Sequence, residues 1–165
     1  MRHRTIDSPV GPLTFVVDEA GVLCALYTDG QKHFPGFAAL GEPDDAIAPE
    51  AVAQVGEYFA GQRTTFELDL APRGTAFQRA VWDALCAIPA GQTRSYGQVA
   101  AALGHPKASR AVGAATGRNP ISIIVPCHRL VGSSGALTGY AGGIERKRWL
   151  LDHERGLVGE PSSLH

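Results

Sequence analysis

Cys127 stands directly after Pro126 and directly before His128 and Arg129, at the end of the apolar run Ile121-Ser122-Ile123-Ile124-Val125. Such a run reads as a buried strand ended by the proline. A thiol at that place is held in position, but position alone does not make it reactive. A free cysteine has a pKa of roughly 8.5, which leaves only a few per cent thiolate near neutrality. His128 and Arg129 are nearby sources of a base or of positive charge. In extended chain, however, neighbours point to opposite faces, so contact between Cys127 and His128 needs a bent backbone or a bridging water. Two readings stay open on these residues: an activated nucleophile, or an inert thiol packed in a core. The other two cysteines, Cys24 in a β-rich run and Cys86 on the apolar side of a helix, read as buried and inert. Three cysteines without a CxxC spacing argue against a disulfide framework and against a closed zinc site. They suit a reducing compartment.

The elements that must position this thiol fall into two textures. Leu13 to Val17 and Val22 to Thr28 are β-rich and are joined by Asp18-Glu19-Ala20-Gly21, a hairpin. Thr28 to Pro49 is rich in Gly, Pro and Asp and reads as loop. Pro49 to Ala60 reads as a helix with Val52, Val55 and Phe59 on one face and Gly61 as its stop. Phe66 to Leu70 reads as one more strand, and Ala71-Pro72-Arg73-Gly74 as a linker. Short helices follow. Thr75 can cap one running to Ile88, with Phe77, Val81, Trp82 and Leu85 on one face. Ser95 can cap a second, Tyr96 to Leu103. Gly104-His105-Pro106 breaks it, and Lys107 to Thr116 forms a third. Two short helices around a Gly-containing turn are a helix-turn-helix pattern. The third helix carries Ala108, Ser109, Ala111, Gly113, Ala114 and Ala115, with Arg110 the one large side chain in its middle. A helix that reads bases in the major groove carries several long polar side chains. A smooth helix with one Arg can instead lie against a backbone or in a shallow minor groove. The alternative is a helix packed tightly on a neighbour.

The 165 residues are enough for one domain or two small ones, and 44% hydrophobic residues can supply a core. No apolar run approaches the roughly 18 residues needed to span a membrane. The basic N-terminus runs straight into strand-like sequence without a signal-peptide core, which reads as an intracellular protein. The net charge of −1 hides an asymmetry. Met1 to Arg73 carries 5 Lys/Arg against 11 Asp/Glu, a balance of −6, and Gly74 to His165 carries 10 against 5, a balance of +5. A positive half suits a polyanion such as a phosphate backbone, although two solvated faces of opposite sign would give the same count.

The run Ile124 to Val131, preceded by Arg118-Asn119-Pro120-Ile121, resembles the active-site signature of the O6-alkylguanine-DNA alkyltransferases, the methylated-DNA–protein-cysteine methyltransferases. Ser95-Tyr96-Gly97, Ser109 to Gly113, Ser133-Ser134-Gly135, Tyr140 to Gly143 and Trp149 to Glu154 fall in that family's order and spacing. The resemblance covers roughly Thr75 to Glu154; the N-terminal half matches more loosely, chiefly at Asp7 to Gly11. It implies an α/β N-terminal domain, a small sheet with a helix, over 1–73. A mainly helical domain with a helix-turn-helix, winged-helix-like unit follows over 74–155, and a flexible tail over 156–165. It implies single-turnover transfer of an alkyl group from O6 of guanine, and in some cases O4 of thymine, onto Cys127 after base flipping. His128 would be the base through a water, Glu154 would orient His128, and Asn119 would hold the active-site backbone. Tyr96 would help turn out the nucleotide and give a proton to the departing guanine. Arg110 would fill the gap in the duplex, with Ala108, Ser109, Ala111, Gly113 and Ala114 against the DNA. Tyr140, Ala141, Gly142, Val125 and Pro126 would line the base pocket.

The implied partner is double-stranded DNA, bound in the minor groove with little sequence specificity. No membrane and no obligate protein partner are implied, though weak contacts between copies along DNA are compatible with it. No cofactor is expected. No metal is expected either, because the zinc ligands of some relatives have no counterpart in Cys24, His3 and His33. The implied location is the cytoplasm, on the nucleoid in a bacterium. The chain has Ala141 where some members have Ser, and Thr138 where some have Gly. Two rival functions stand beside this one. A non-catalytic lesion-binding module of the alkyltransferase-like kind would lack the acceptor cysteine, which this chain keeps. A cysteine hydrolase built on Cys127, His128 and Glu154 would need an oxyanion-hole motif, and none is evident.

Overall fold

A computed structural model describes residues 1–159. Two compact units emerge, Met1–Arg73 with Pro120–Ile124, and Gly74–Asn119 with the chain from Val125 onward.

In the first unit, β1 (Arg2–Ile6), β2 (Leu13–Val17), β3 (Leu23–Thr28) and β4 (Glu42–Pro43) form a sheet in the order β3-β2-β1-β4. β1 and β2 are antiparallel, as are β2 and β3, and β4 lies parallel to β1. All five β2 residues are buried, which explains its largely apolar character; the one polar side chain, Thr14, has its hydroxyl bonded to that of Thr5 at 2.9 Å. The hairpin at 18–21 is closed by Asp18, whose carboxylate accepts the N–H groups of Ala20 and Val22. α1 spans Pro49–Phe59.

Several expectations for this unit need correction. The 28–49 stretch is not all loop, since it holds β4 and a 3-10 turn at Phe37–Leu40. Phe66 to Leu70 is no strand; only Leu70 makes an isolated bridge, to Leu23. α1 buries Ala51, Val55 and Tyr58, so its inner face is rotated from the expected Val52, Val55 and Phe59. Tyr58 takes the interior and Phe59 packs on its edge, with ring centroids 5.2 Å apart.

The apolar run before Cys127 is not a strand either. Ile121 makes a single bridge to Leu26, and Ser122 donates its N–H to Leu26. The chain then turns about Ile123, at φ 72, with the Ile124 N–H bonded to the Ser122 carbonyl at 2.8 Å. A β-branched residue in that left-handed region is strained, and it persists here on a buried side chain. Residues 120–124 therefore pack with the first unit, although the expected C-terminal domain ran through them.

The second unit is built on α2 (Ala76–Cys86), α3 (Tyr96–Ala102), α4 (Ser109–Gly117) and α5 (Ile144–Leu157). A short parallel pair, β5 (Arg94–Ser95) and β6 (Leu130–Val131), accompanies them. α2 and α3 each begin with a full capping box. Thr75 with Gln78 and Ser95 with Gln98 satisfy backbone donors in both directions. α2 buries Val81, Trp82 and Leu85, and the Trp82 indole donates to the Ala115 carbonyl of α4 at 2.8 Å. Gly74 lets the chain pass over that indole, since a Cβ there would fall 2.4 Å from the ring. α3 and α4 pack together across a turn containing Gly104 at φ +80, a helix-turn-helix. Cys86, expected to be buried, is exposed, and Trp149 is only half-buried, stacked on His153. α5 continues through Gly156 and Leu157, so the expected tail begins as helix; 160–165 lie outside the described residues.

Candidate active site

Two successive bends deliver the Cys127 side chain. Pro126 is the centre of a tight turn (φ −82, ψ 65), closed by the Cys127 N–H on the Val125 carbonyl at 2.8 Å. Cys127, His128 and Arg129 then form one 3-10 turn, and all three are buried. The bend lets adjacent residues serve one site, which extended chain could not do.

Asn119 fixes the first bend. Its side-chain amide donates to the Val125 carbonyl at 2.9 Å, and it also hydrogen-bonds Cys127. Burial pushes the Cys127 thiol up; the Asn119 bond, the Lys147 charge and the Tyr140 hydroxyl pull the other way without overcoming it. At rest the group is a thiol, so a nucleophilic role requires a base. Tyr140 turns its buried hydroxyl toward Cys127, and burial together with the Cys127 charge holds its phenol well above the usual range.

His128 is fully buried and its Nε2 meets Glu154 Oε2 at 2.7 Å, both side chains excluded from solvent. With Nε2–H donated to the carboxylate, Nδ1 carries the free lone pair. That Nδ1 is buried and has no hydrogen-bonding partner in the protein. Glu154 is also gripped by the Arg129 guanidinium, Nε to Oε1 at 2.8 Å and Nη2 to Oε2 at 2.9 Å. Arg129 Nη1 donates in addition to the Ile88 carbonyl. Burial would raise the Glu154 carboxyl, but the charges and hydrogen bonds of His128 and Arg129 hold it well below the usual carboxylate range.

Two of these groups were missed in the sequence. Arg129 was read only as nearby charge, yet it is the bidentate partner of Glu154. Lys147 was not singled out at all. It is fully buried on α5, and desolvation lowers its pKa to about 8, with the Cys127 charge opposing. A signal for it existed. The buried residues of α5 are Lys147, Leu150, Leu151 and Glu154, an i, i+3, i+4, i+7 stripe with a charge at each end. Charged residues on a helix's inner stripe mark buried polar chemistry.

The remaining expected residues fall in two groups. Val125 and Pro126 are buried beside Cys127 in sequence; Tyr140 and Ala141 are half-buried and Gly142 buried on the segment leading into α5. On α4, Arg110, Ala111 and Ala114 are exposed, Ser109 and Gly113 half-buried, and Ala108 is the N-cap. Tyr96, the first residue of α3, lies against Gly113, where an added Cβ would sit 3.7 Å from its ring. Its hydroxyl meets that of Thr138 at 2.8 Å.

Comparison with known proteins gives the family. Residues 1–72 match the 6-O-methylguanine DNA methyltransferase ribonuclease-like domain, and residues 76–156 match the DNA binding domain of the same name. A methylated-DNA–protein-cysteine methyltransferase of Mycobacterium tuberculosis (strain H37Rv) is 52% identical over 94% of this chain and 93% of its own length. The chain belongs to the methylated-DNA–protein-cysteine methyltransferase family. A family member from Salmonella typhimurium (strain LT2) is 48% identical over 94% of the chain and 96% of its own. The crystal structure of Mycobacterium tuberculosis OGT in complex with DNA superposes with a TM-score of 0.88 at 49% identity, covering 98% of this chain and 96% of that one. The family's fold, a ribonuclease-like unit with a small sheet followed by a helical DNA-binding unit, is the one described above.

Proposed function

We propose that the chain repairs DNA by direct reversal, taking a methyl or other alkyl group from O6 of guanine onto Cys127 once and irreversibly. O4 of alkylated thymine is a secondary substrate. The observation that carries the reading is the buried, unpartnered Nδ1 of His128, on a ring whose Nε2 is held by Glu154 and whose neighbour in sequence is Cys127. A water between Nδ1 and the thiol lets His128 take the Cys127 proton. The sulfur then attacks the alkyl carbon, the carbon–O6 bond breaks, and its electron pair leaves with guanine. Tyr96 gives that guanine a proton. Glu154 orients His128 and Asn119 holds the acceptor's backbone. The product is a thioether that no neighbouring group can cleave, so each molecule acts once.

The O6 atom of a stacked, paired guanine is out of reach of a buried thiol, so the nucleotide must be turned out. Extrusion costs a few kcal/mol, less for a weakly paired damaged base. The exposed face of α4, Arg110 among Ala111 and Ala114, is smooth enough to lie in the minor groove, and Arg110 fills the gap. Tyr140, Ala141, Gly142, Val125 and Pro126 form the base pocket. Double-stranded DNA, bound with little sequence specificity, is the partner. The protein works as a monomer in the cytoplasm, on the nucleoid in a bacterium, with at most weak contacts between copies along DNA and no cofactor or metal. Among the described residues no helix is long and apolar enough to cross a membrane, and no cluster of His, Cys, Asp or Glu could hold a metal ion.

Mass spectrometry after mixing with excess duplex containing O6-methylguanine tests this reading. One methyl per protein, on Cys127, is expected. Cys127→Ala should transfer nothing and still bind DNA, while Cys24→Ser and Cys86→Ser should transfer normally. Continued turnover would overturn the acceptor reading in favour of a hydrolase, and absence of any transfer would favour a lesion-binding module.

A further inference from the structure

The segment between β6 and α5 carries Tyr140, Ala141 and Gly142 of the proposed base pocket with almost no regular structure of its own. Thr138 ties it to both sides. Its carbonyl accepts from Lys147 Nζ of α5 at 3.4 Å, and its hydroxyl meets the Tyr96 hydroxyl, at the start of α3, at 2.8 Å. Its methyl faces Gly132, 3.3 Å from where a Cβ there would stand. The Tyr96 ring faces Gly113 of α4, where an added Cβ would reach ordinary contact distance, and the hydroxyl contact with Thr138 bears on where the phenol oxygen points.

A threonine hydroxyl can both donate and accept, and a phenol likewise. If Tyr96 is to give its proton to guanine, its oxygen must take a hydrogen bond from elsewhere, and Thr138 is placed to donate it. We propose that Thr138 is a positioning residue for the transfer step: its hydroxyl donates to Tyr96 Oη, leaving the phenol O–H directed into the base pocket. As the proton moves from Tyr96 to the departing guanine, charge grows on Oη, and a hydrogen bond to a charged acceptor strengthens. Solvent returns the proton after the single transfer. The proposal rests on the reading of Tyr96 as proton donor.

The test measures single-turnover transfer from duplex O6-methylguanine at saturating protein, alongside duplex binding and melting temperature. Thr138→Val should slow the saturated rate about tenfold, equivalent to about 1.4 kcal/mol, without weakening binding. Thr138→Ser should restore it to within about twofold, since a lone hydroxyl accounts for the effect. In a Tyr96→Phe background Thr138→Val should add nothing. Thr138→Ala replaces the valine variant if that one melts below the assay temperature. A slow Tyr96→Phe beside a normal Thr138→Val overturns the role of Thr138 and leaves that of Tyr96. A normal Tyr96→Phe overturns both. Slowing that serine does not rescue, or that persists in the Tyr96→Phe background, makes Thr138 a packing residue and overturns the proposal.

Discussion

Glu154 is the residue on which two roles converge. It orients His128, and it is the counter-charge of a buried Arg129. Glu154→Gln therefore does more than weaken a base. It leaves the Arg129 guanidinium, with a side chain only 6% exposed, without an anion. Removing one partner of a buried pair costs about 3–5 kcal/mol. The variant should show that loss in urea unfolding at pH 7, together with slower transfer. The pH dependence has a definite sign. The folded-state carboxyl is held below its unfolded value of about 4.3. Its contribution is complete above that value and is lost as pH falls below it. The gap in urea midpoint between wild type and Glu154→Gln should thus narrow from pH 5 toward pH 3. Adding Arg129→Met should recover part of the stability without restoring the rate. A Glu154→Gln protein as stable as wild type would mean that the Arg129 charge finds another partner and that Glu154 acts on His128 alone.

At the scale of elements, capping signals were legible and short apolar runs were not. Thr75 and Ser95 were readable as caps because a hydroxyl before an apolar stripe has one obvious use, and both became capping boxes. The run Ile121 to Val125 was misread because five buried residues satisfy a strand or a bent segment equally well. Nothing local announces that Ile123 must turn. α1 was placed within a residue at its end, but its inner face was rotated because Val52, Tyr58 and Phe59 offer two apolar stripes and only packing selects one. The two caps allow a matched comparison. Ser95 positions the first turn of α3, where Tyr96 stands, whereas Thr75 serves α2. Ser95→Ala and Thr75→Ala should each cost about 1 kcal/mol of stability. Ser95→Ala alone should also slow duplex repair, by several-fold, while Thr75→Ala repairs at the wild-type rate. Equal rates in the two variants would show that Tyr96 is placed without help from the cap.

For the molecule as a whole, the main consequence of the chemistry lies in where the alkyl group ends up. The two family domains and the acidic and basic halves were legible because each rests on composition or on a motif. The buried cation beside the acceptor was not, because burial of a lysine depends on packing that no short window reveals. Yet Lys147 decides what the product experiences. Its ammonium is buried and disfavoured, and the Cys127 charge opposes that shift. Alkylation turns the thiol into a thioether that can never carry charge. It also adds a methyl to a buried sulfur, and overpacking a close-packed interior typically costs about 1–3 kcal/mol. The alkylated protein should therefore melt below the free protein in paired thermal scans. Lys147→Met separates the two contributions. The folded Lys147 pKa of about 8 lies below its ordinary 10.5. The unfolded chain binds the extra proton between those values, so the penalty is present below about pH 8 and fades as pH rises toward 10.5. Unalkylated Lys147→Met should accordingly gain on wild type at pH 7 and lose that advantage by pH 10. The resting group is already an uncharged thiol, so alkylation takes no counter-charge from Lys147; if the ammonium instead loses its contact with the sulfur, the melting difference between free and alkylated forms should shrink in Lys147→Met. An unchanged difference would assign the whole effect to the added methyl. Equal melting of the two forms in wild type would show that the site has room to spare and that neither contribution operates.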